Sequence, residues 1–237
     1  MAELSVKVEH AAYLRNYFNL NIPDPSHLAV FAESAGVDSI SCHLRRDRLH
    51  IRDRDAYLLK EIVKTKLNLH IPPVDEFISL AIEVQPWLVT LMPDDGEEAI
   101  LKTGLNFELS RERCTRASES LKENGIRVGY FINPNEVDVK EAARGKAYAV
   151  EFCAGDFINA KTDDEVKNEL DRLESLSILA KKLGMKTYCG SGLNYKNIEQ
   201  LVELETFDGF IIGAAITVRA MMVGFEAAVE EMLDLVR

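Results

Sequence analysis

His43, Arg45, Arg48 and His50 fall within the eight residues HLRRDRLH of a chain whose formal net charge is −11. An imidazole exchanges protons near neutrality, and guanidinium groups bind phosphate through paired N–H donors. A histidine followed closely by cations is therefore a pattern for acid–base chemistry on an anionic substrate, with Arg45, Arg48 and His50 converging on the anion. The continuation IRDRD, residues 51–55, reads instead as the solvated, salt-bridged start of a helix, capped or charged by Asp53 or Asp55.

Lys7, Glu9, His70 and Glu151 stand in short apolar runs, where an ionisable side chain without a partner costs several kcal/mol to bury. Two histidines and two carboxylates around one cavity support general acid–base catalysis, because their mutual fields move pKa values toward neutrality. The competing reading is a satisfied internal polar network. Lys7 adds an amine that, desolvated, forms an imine with a carbonyl. Glu9 and Glu151 oppose that by holding it charged, so a salt bridge is the favoured role. Glycine supplies a third pattern, in CGSGLNYKN at 189–197 and IIGAAI at 211–216. Gly190, Ser191, Gly192, Gly213 and Ala214 would let a phosphate approach backbone N–H groups beside a helix start.

The elements that must position these residues are eight β-type runs, at 5–9, 38–44, 67–71, 87–92, 127–133, 149–154, 186–191 and 208–214. Amphipathic segments alternate with them at 25–35, 53–65, 74–84, 110–124, 135–144, 163–183, 195–203 and 217–236. Eight such repeats predict an α/β fold, a single (β/α)8 TIM barrel spanning residues 1–237, with room for extra helices after strands four and six. An open doubly wound sheet competes, but its first turn is usually glycine-rich and this one has no glycine. Apolar phases at Val6 and Val8, at Ile40, Cys42 and Leu44, at Leu67, Leu69 and Ile71, and at Val150 and Phe152 suit the helix layer. The opposite phases turn Lys7, Glu9, His43, His70 and Glu151 inward, at the C-terminal strand ends where barrel active sites lie. On strand seven Thr187, Cys189 and Ser191 are assigned to the inward phase.

A sequence pI near 5.0 argues against nucleic acid and anionic membranes as partners, since both are held by summed positive charge. No apolar run approaches the roughly 20 residues of a membrane span. The opening MAELSVKVEH has neither a basic nor an apolar leader region, so a cytoplasmic address is expected. The four cysteines form no CxxC pair, so neither a metal site nor a disulfide framework is suggested. No cofactor is implied; the expected partner is a small phosphorylated substrate.

HLRRDRLHIRDRD, together with VEHAAYLRN, PDP at 23–25, LNL at 67–69, VEF, CGSGLNYKN and IIGAAITVRAMMVGFEAAVEEM, resembles the pyridoxine 5′-phosphate synthase family over nearly the whole chain. The resemblance implies a (β/α)8 transferase of vitamin B6 biosynthesis that condenses 1-deoxyxylulose 5-phosphate with 3-amino-2-oxopropyl phosphate. It implies His43 as acid/base, Arg45 and His50 as phosphoketose ligands, His10 as a further ligand and Glu151 as stabiliser of the condensation transition state. It also implies an assembly of several copies. The chain departs from the family pattern where His70 replaces a catalytic Glu, Ser191 and Ala214 replace histidines, and Lys7 and Glu9 replace Asn and Asp. Phe18 replaces an Arg, and a Thr expected near EEAILKTG is aliphatic. Positions for the phosphoketose are largely kept and those for the second substrate largely replaced. Two alternatives therefore stand beside the synthase reaction: a different acid/base or imine reaction on a phosphorylated carbonyl compound, and phospho-ligand binding without catalysis.

Overall fold

The computed structural model describes residues 1–94 and 103–237. Eight parallel strands close in sequence order into a barrel: β1 (Glu3–Lys7), β2 (Ser39–His43), β3 (Lys66–Ile71), β4 (Leu88–Leu91), β5 (Arg127–Ile132), β6 (Ala149–Cys153), β7 (Lys186–Gly190) and β8 (Gly209–Ile212). β1 pairs with both β2 and β8, which removes every free edge. The α/β expectation holds, and the eight expected strands all form.

Around the barrel run α1 (Glu9–Tyr17), α2 (Pro25–Ala35), α3 (Asp53–Ile62), α4 (Asp75–Val84), α5 (Phe107–Glu123), α6 (Glu136–Arg144), α7 (Gly155–Asn159), α8 (Asp163–Lys182), α9 (Ile198–Val202), α10 (Ala214–Val223) and α11 (Phe225–Val236). The main core lies between the strands and this helical ring, and includes Leu4, Val6, Ile40, Leu69, Val150, Phe152 and Met232. Inside the barrel, side chains stack in layers. Ala149, Tyr188 and Ile211 form one cluster, and Met92, Phe131 and Cys153 another nearer the C-terminal end. Ser5 bonds Ser41 at 2.5 Å and Thr90 donates to Asn68 at 3.0 Å, so these four inward polar groups find partners on a neighbouring strand.

Several local expectations change. β1 ends at Lys7, and after the single residue Val8 the chain turns into α1, so Glu9 is the first residue of a helix rather than the last of a strand. Val8 supplies no side-chain cap, and that missing signal is why the strand reads too long. The last helix is two, broken at Gly224, whose φ of 90° lies in the left-handed region. The extra helix after strand six is α7; residues 95–102, with most of the segment expected to carry an aliphatic residue for Thr, lie outside the described residues. On β7 the phases are reversed. Thr187 lies within 3.2 Å of Ser177 on α8 and Cys189 joins the outer core, whereas Tyr188 and Gly190 face inward. Asp53 and Asp55 lie in the first turn of α3 and charge its start, one of the two roles expected of them, but neither is the cap. That position is Arg52, whose backbone N–H donates to the Asp55 carboxylate at 3.0 Å. No helix of the described residues is long and apolar enough to cross a membrane.

Candidate active site

A cavity opens at the C-terminal end of the barrel. It is lined by Lys7, Glu9, His10, His43, His50, Met92, Phe131, Glu151, Ser191, Gly192, Leu193, Ile211, Ile212, Gly213 and Ala214. Of the residues expected to build a site, ten of the fourteen converge there: Lys7, Glu9, His10, His43, His50, Glu151, Ser191, Gly192, Gly213 and Ala214. Arg45, Arg48, His70 and Gly190 do not line it. Arg45 borders an adjoining recess with His43, Arg46, Asp47, Pro72, Pro93 and Asp94, so His43 stands between the two spaces.

Lys7 and Glu9 face each other with Nζ and Oε1 3.2 Å apart. Burial opposes the Lys7 charge, but Glu9 and Glu151 outweigh it and raise its pKa. Burial likewise opposes the Glu9 charge, yet Lys7 beside it holds its carboxyl well below the usual range. The pair is therefore ionised at neutral pH. The histidines go the other way. Burial, reinforced by Lys7, pushes His43 well below its ordinary value, and burial lowers His10 against the pull of Glu9. His50 is pushed down to about 4 by burial, helped by Arg45 and His10. Neutral imidazoles beside a fixed ion pair offer bases, not acids, to whatever enters.

Three of the lining residues carry polar atoms that are buried and, among the described residues, without a hydrogen-bond partner: Glu9 Oε2, His10 Nδ1 and His50 Nδ1. Orphaned buried atoms cost free energy, and their gathering around one cavity marks a surface shaped for a polar ligand. The approach is tightened by Gly213, where a Cβ would stand 2.7 Å from His10 Nδ1. Ser191 and Gly192 adopt φ of 70° and 77°, and α10 begins at Ala214 without a side-chain cap. This is the region expected to cradle phosphate.

Local structure holds these groups in place. Arg15 on α1 grips Asp55 with two hydrogen bonds of 3.0 and 2.7 Å, and with Asn16 it donates to the His50 carbonyl at 3.3 and 2.8 Å. α1 thus fixes both its own Glu9 and His10 and the loop that presents His50, whose ring centroid lies 5.9 Å from that of His43. Arg48 does not converge on the site. It donates to Asp53 and Glu76 and stacks 4.4 Å from the Phe77 ring centre, which makes it a surface tie between α3 and α4. Arg45 forms a two-bond pair with Asp47, at 3.1 and 2.7 Å. His70 sits below the cavity, with Nε2 2.7 Å from Glu151 Oε2. Sequence reasoning missed Met92, Phe131 and Leu193 as walls and Arg15 and Asp55 as supports. The one available signal was an Arg and an Asp in otherwise apolar helical faces.

The family model described as "Pyridoxal phosphate biosynthesis protein PdxJ" matches residues 4–237. The chain is 40% identical over 236 residues to a pyridoxine 5′-phosphate synthase of Syntrophotalea carbinolica, covering 100% of this chain and 99% of that one. It is 39% identical over 237 residues to a pyridoxine 5′-phosphate synthase of Geotalea uraniireducens, with the same coverage. Among solved structures it resembles a tryptophan synthase chain from M. tuberculosis, with a TM-score of 0.66 at 14% identity over 100% of this chain and 92% of that one. A thiamine phosphate pyrophosphorylase from Pyrococcus furiosus gives 0.62 at 14% identity, over 99% and 95%. At that identity the two structures share the barrel fold and carry nothing about chemistry.

Proposed function

The chain belongs to the PdxJ family of pyridoxal phosphate biosynthesis proteins and is an enzyme of vitamin B6 biosynthesis, and on that premise we propose that its mouth condenses a phosphorylated ketose with an amino-ketone phosphate. The reading takes 1-deoxyxylulose 5-phosphate and 3-amino-2-oxopropyl phosphate, the substrates the resemblance implies. The observation that carries it is the set of orphaned buried atoms, Glu9 Oε2, His10 Nδ1 and His50 Nδ1, around one cavity beside an ionised Lys7–Glu9 pair.

Joining an amine to a ketone adds N–H across the carbonyl and then expels water, so each half needs a group that takes a proton and returns it. His43, neutral because it is buried, removes the ammonium proton so that the amine can attack, and returns it to the departing hydroxyl. Glu151 stabilises the positive charge that develops on nitrogen. His50 and Arg45 hold the phosphoketose, one from each side of His43, and Lys7, Glu9 and His10 bind polar groups of the substrates. Ser191, Gly192, Gly213 and Ala214 receive a phosphate. Lys7 works against the imine alternative, because Glu9 and Glu151 favour its charged, non-nucleophilic form.

The proposal includes residues 1–237 acting as one domain, an assembly of several copies and a cytoplasmic address. Exposed Tyr17, Phe18, Met221 and Met222 support self-association, and four free, buried cysteines fit a reducing compartment. The test is to incubate purified protein with both substrates and follow pyridoxine 5′-phosphate by mass. Product formation that disappears with His43→Ala is expected; no product at high enzyme concentration overturns the synthase reading.

A further inference from the structure

The two carboxylate oxygens of Glu151 face different strands, one bonded and the other given room. His70 on β3 reaches across the barrel interior to β6, where its Nε2 lies 2.7 Å from Glu151 Oε2. Both side chains are almost fully buried, at 0% and 4% exposure. Among the described residues His70 Nδ1 has no partner, and His70 lines no part of the cavity, so the polar contact its side chain makes there is with this carboxylate. The other oxygen, Oε1, lies against Gly190, where a Cβ would stand only 2.3 Å away. Gly190 is not in the left-handed region that would itself call for glycine. What its missing side chain supplies is room for Glu151 Oε1.

A glutamate has three rotatable side-chain bonds, and here a cation offers it an alternative. Lys7 interacts with Glu151 electrostatically while pairing with Glu9 at 3.2 Å. A Glu151 free to swing would turn its carboxylate toward that ammonium and away from a substrate above it. We propose that His70 and Gly190 are positioning residues that together fix the Glu151 carboxylate in its working orientation, His70 by donating a hydrogen bond to Oε2 and Gly190 by leaving Oε1 its space. In the sequence His70 stands at the position of a catalytic group; the structure makes it a residue that acts through Glu151. The inference rests on the reading of Glu151 as the group that meets the substrates.

Steady-state kinetics of four variants test it. His70→Leu removes the donor and is expected to lower kcat roughly 10- to 100-fold, the scale on which misplacing a reacting group by about 1 Å acts, with KM for the phosphoketose within about threefold. His70→Gln, whose side-chain N–H reaches the place of Nε2, is expected to restore most of the rate. Gly190→Ala is expected to lower kcat as His70→Leu does, and the double variant to be no worse than the poorer single one, because both act on one side chain. Equal loss in the Gln and Leu variants, a KM effect in place of a kcat effect, or additive losses in the double variant would overturn the proposal. If Gly190→Ala does not fold, the Gln and Leu comparison decides alone. If the wild-type protein makes no product, the functional reading fails separately. A crystal structure of His70→Leu then decides: a displaced Glu151 carboxylate upholds the clamp, and an unmoved one overturns it.

Discussion

At the N-terminal end of the barrel Glu3 accepts from Lys66 at 2.9 Å and from Tyr188 at 3.0 Å, and Asp208 accepts from Lys186 at 2.7 Å and from the Thr187 backbone at 2.9 Å. Trp87 has Arg127 and Lys66 at 4.7 and 5.1 Å from its ring centre and the Tyr148 ring edge-on at 5.3 Å. At the C-terminal end ionisable residues are packed more deeply and left incomplete: among the described residues Glu9, His10, His50 and His70 each keep a buried atom without a partner. These N-terminal groups close their hydrogen bonds on one another, with Thr206 Oγ1 beside them left open, whereas Glu9, His10 and His50 turn open atoms toward a cavity. The difference separates residues that hold the fold from residues that use it, since unmet buried groups cost stability that only a ligand returns.

The sharpest way to break that contrast is to remove His43. His43→Ala is expected to lower turnover by roughly 10²- to 10⁴-fold, the range of a lost general acid/base, while chemical unfolding shows stability unchanged or raised. An unfolding midpoint that drops along with activity would put His43 among the structural residues and dissolve the distinction.

Acid separates the two ends by a smaller amount. His50 titrates near 4 in the folded chain and near 6.5 unfolded. Between those values the unfolded state binds the extra proton, so folding stability is fully present above pH 6.5 and is lost as pH falls toward 4. From pH 7 to pH 5 that amounts to about 2 kcal/mol from His50, and His10 and His43 shift in the same direction. Urea unfolding at the two pH values measures it. His50→Gln is expected to flatten the dependence, and a wild-type protein equally stable at both would show that the imidazoles are not held neutral.

Asp208→Ala is the counterpart at the other end. It strips acceptors from the Thr187 backbone and hydroxyl, at 2.9 and 3.2 Å, and leaves that fully buried residue partly unsatisfied. Stability is expected to fall by about 1–2 kcal/mol with kcat unchanged. A fall in kcat without loss of stability would mean that the N-terminal end is coupled to the chemistry after all.

Much of this arrangement was legible before the fold was known, because barrel strands alternate and the alternation brought Lys7, His43, His70 and Glu151 to one side. The reading failed where geometry is not periodic. Gly190 reads as part of a phosphate loop, and that reading does not contain Glu151 Oε1, contributed from β6, which lies where a Cβ on Gly190 would stand. Thr187 and Cys189 were given the inward phase because both are small enough for either layer; Tyr188 hides its inward orientation, since the carboxylate that receives its hydroxyl is 185 residues away. Arg48 resembled an anion ligand by its neighbours in sequence, yet Glu76 and Phe77 on the next helix claim it. Side-chain partnerships between distant strands are long-range facts, and no local pattern contains them.

The smallest effect is the one that most directly joins the two halves of the comparison. If the open atoms of the mouth await an anion, binding it must change their protonation. His50 is neutral at pH 7 because it is buried beside the positive Arg45 and Lys7; a phosphate dianion placed against it reverses the sign of that field and raises its pKa. Burial persists in the complex, so the rise is partial, and an uptake of less than one proton per phosphoketose is expected near pH 6. Titration calorimetry in two buffers of different ionisation enthalpy reads the uptake as a difference in apparent binding enthalpy, and His50→Gln should reduce it. A binding enthalpy independent of buffer would place the phosphate away from His50 and shift the phosphoketose toward the recess that Arg45 borders.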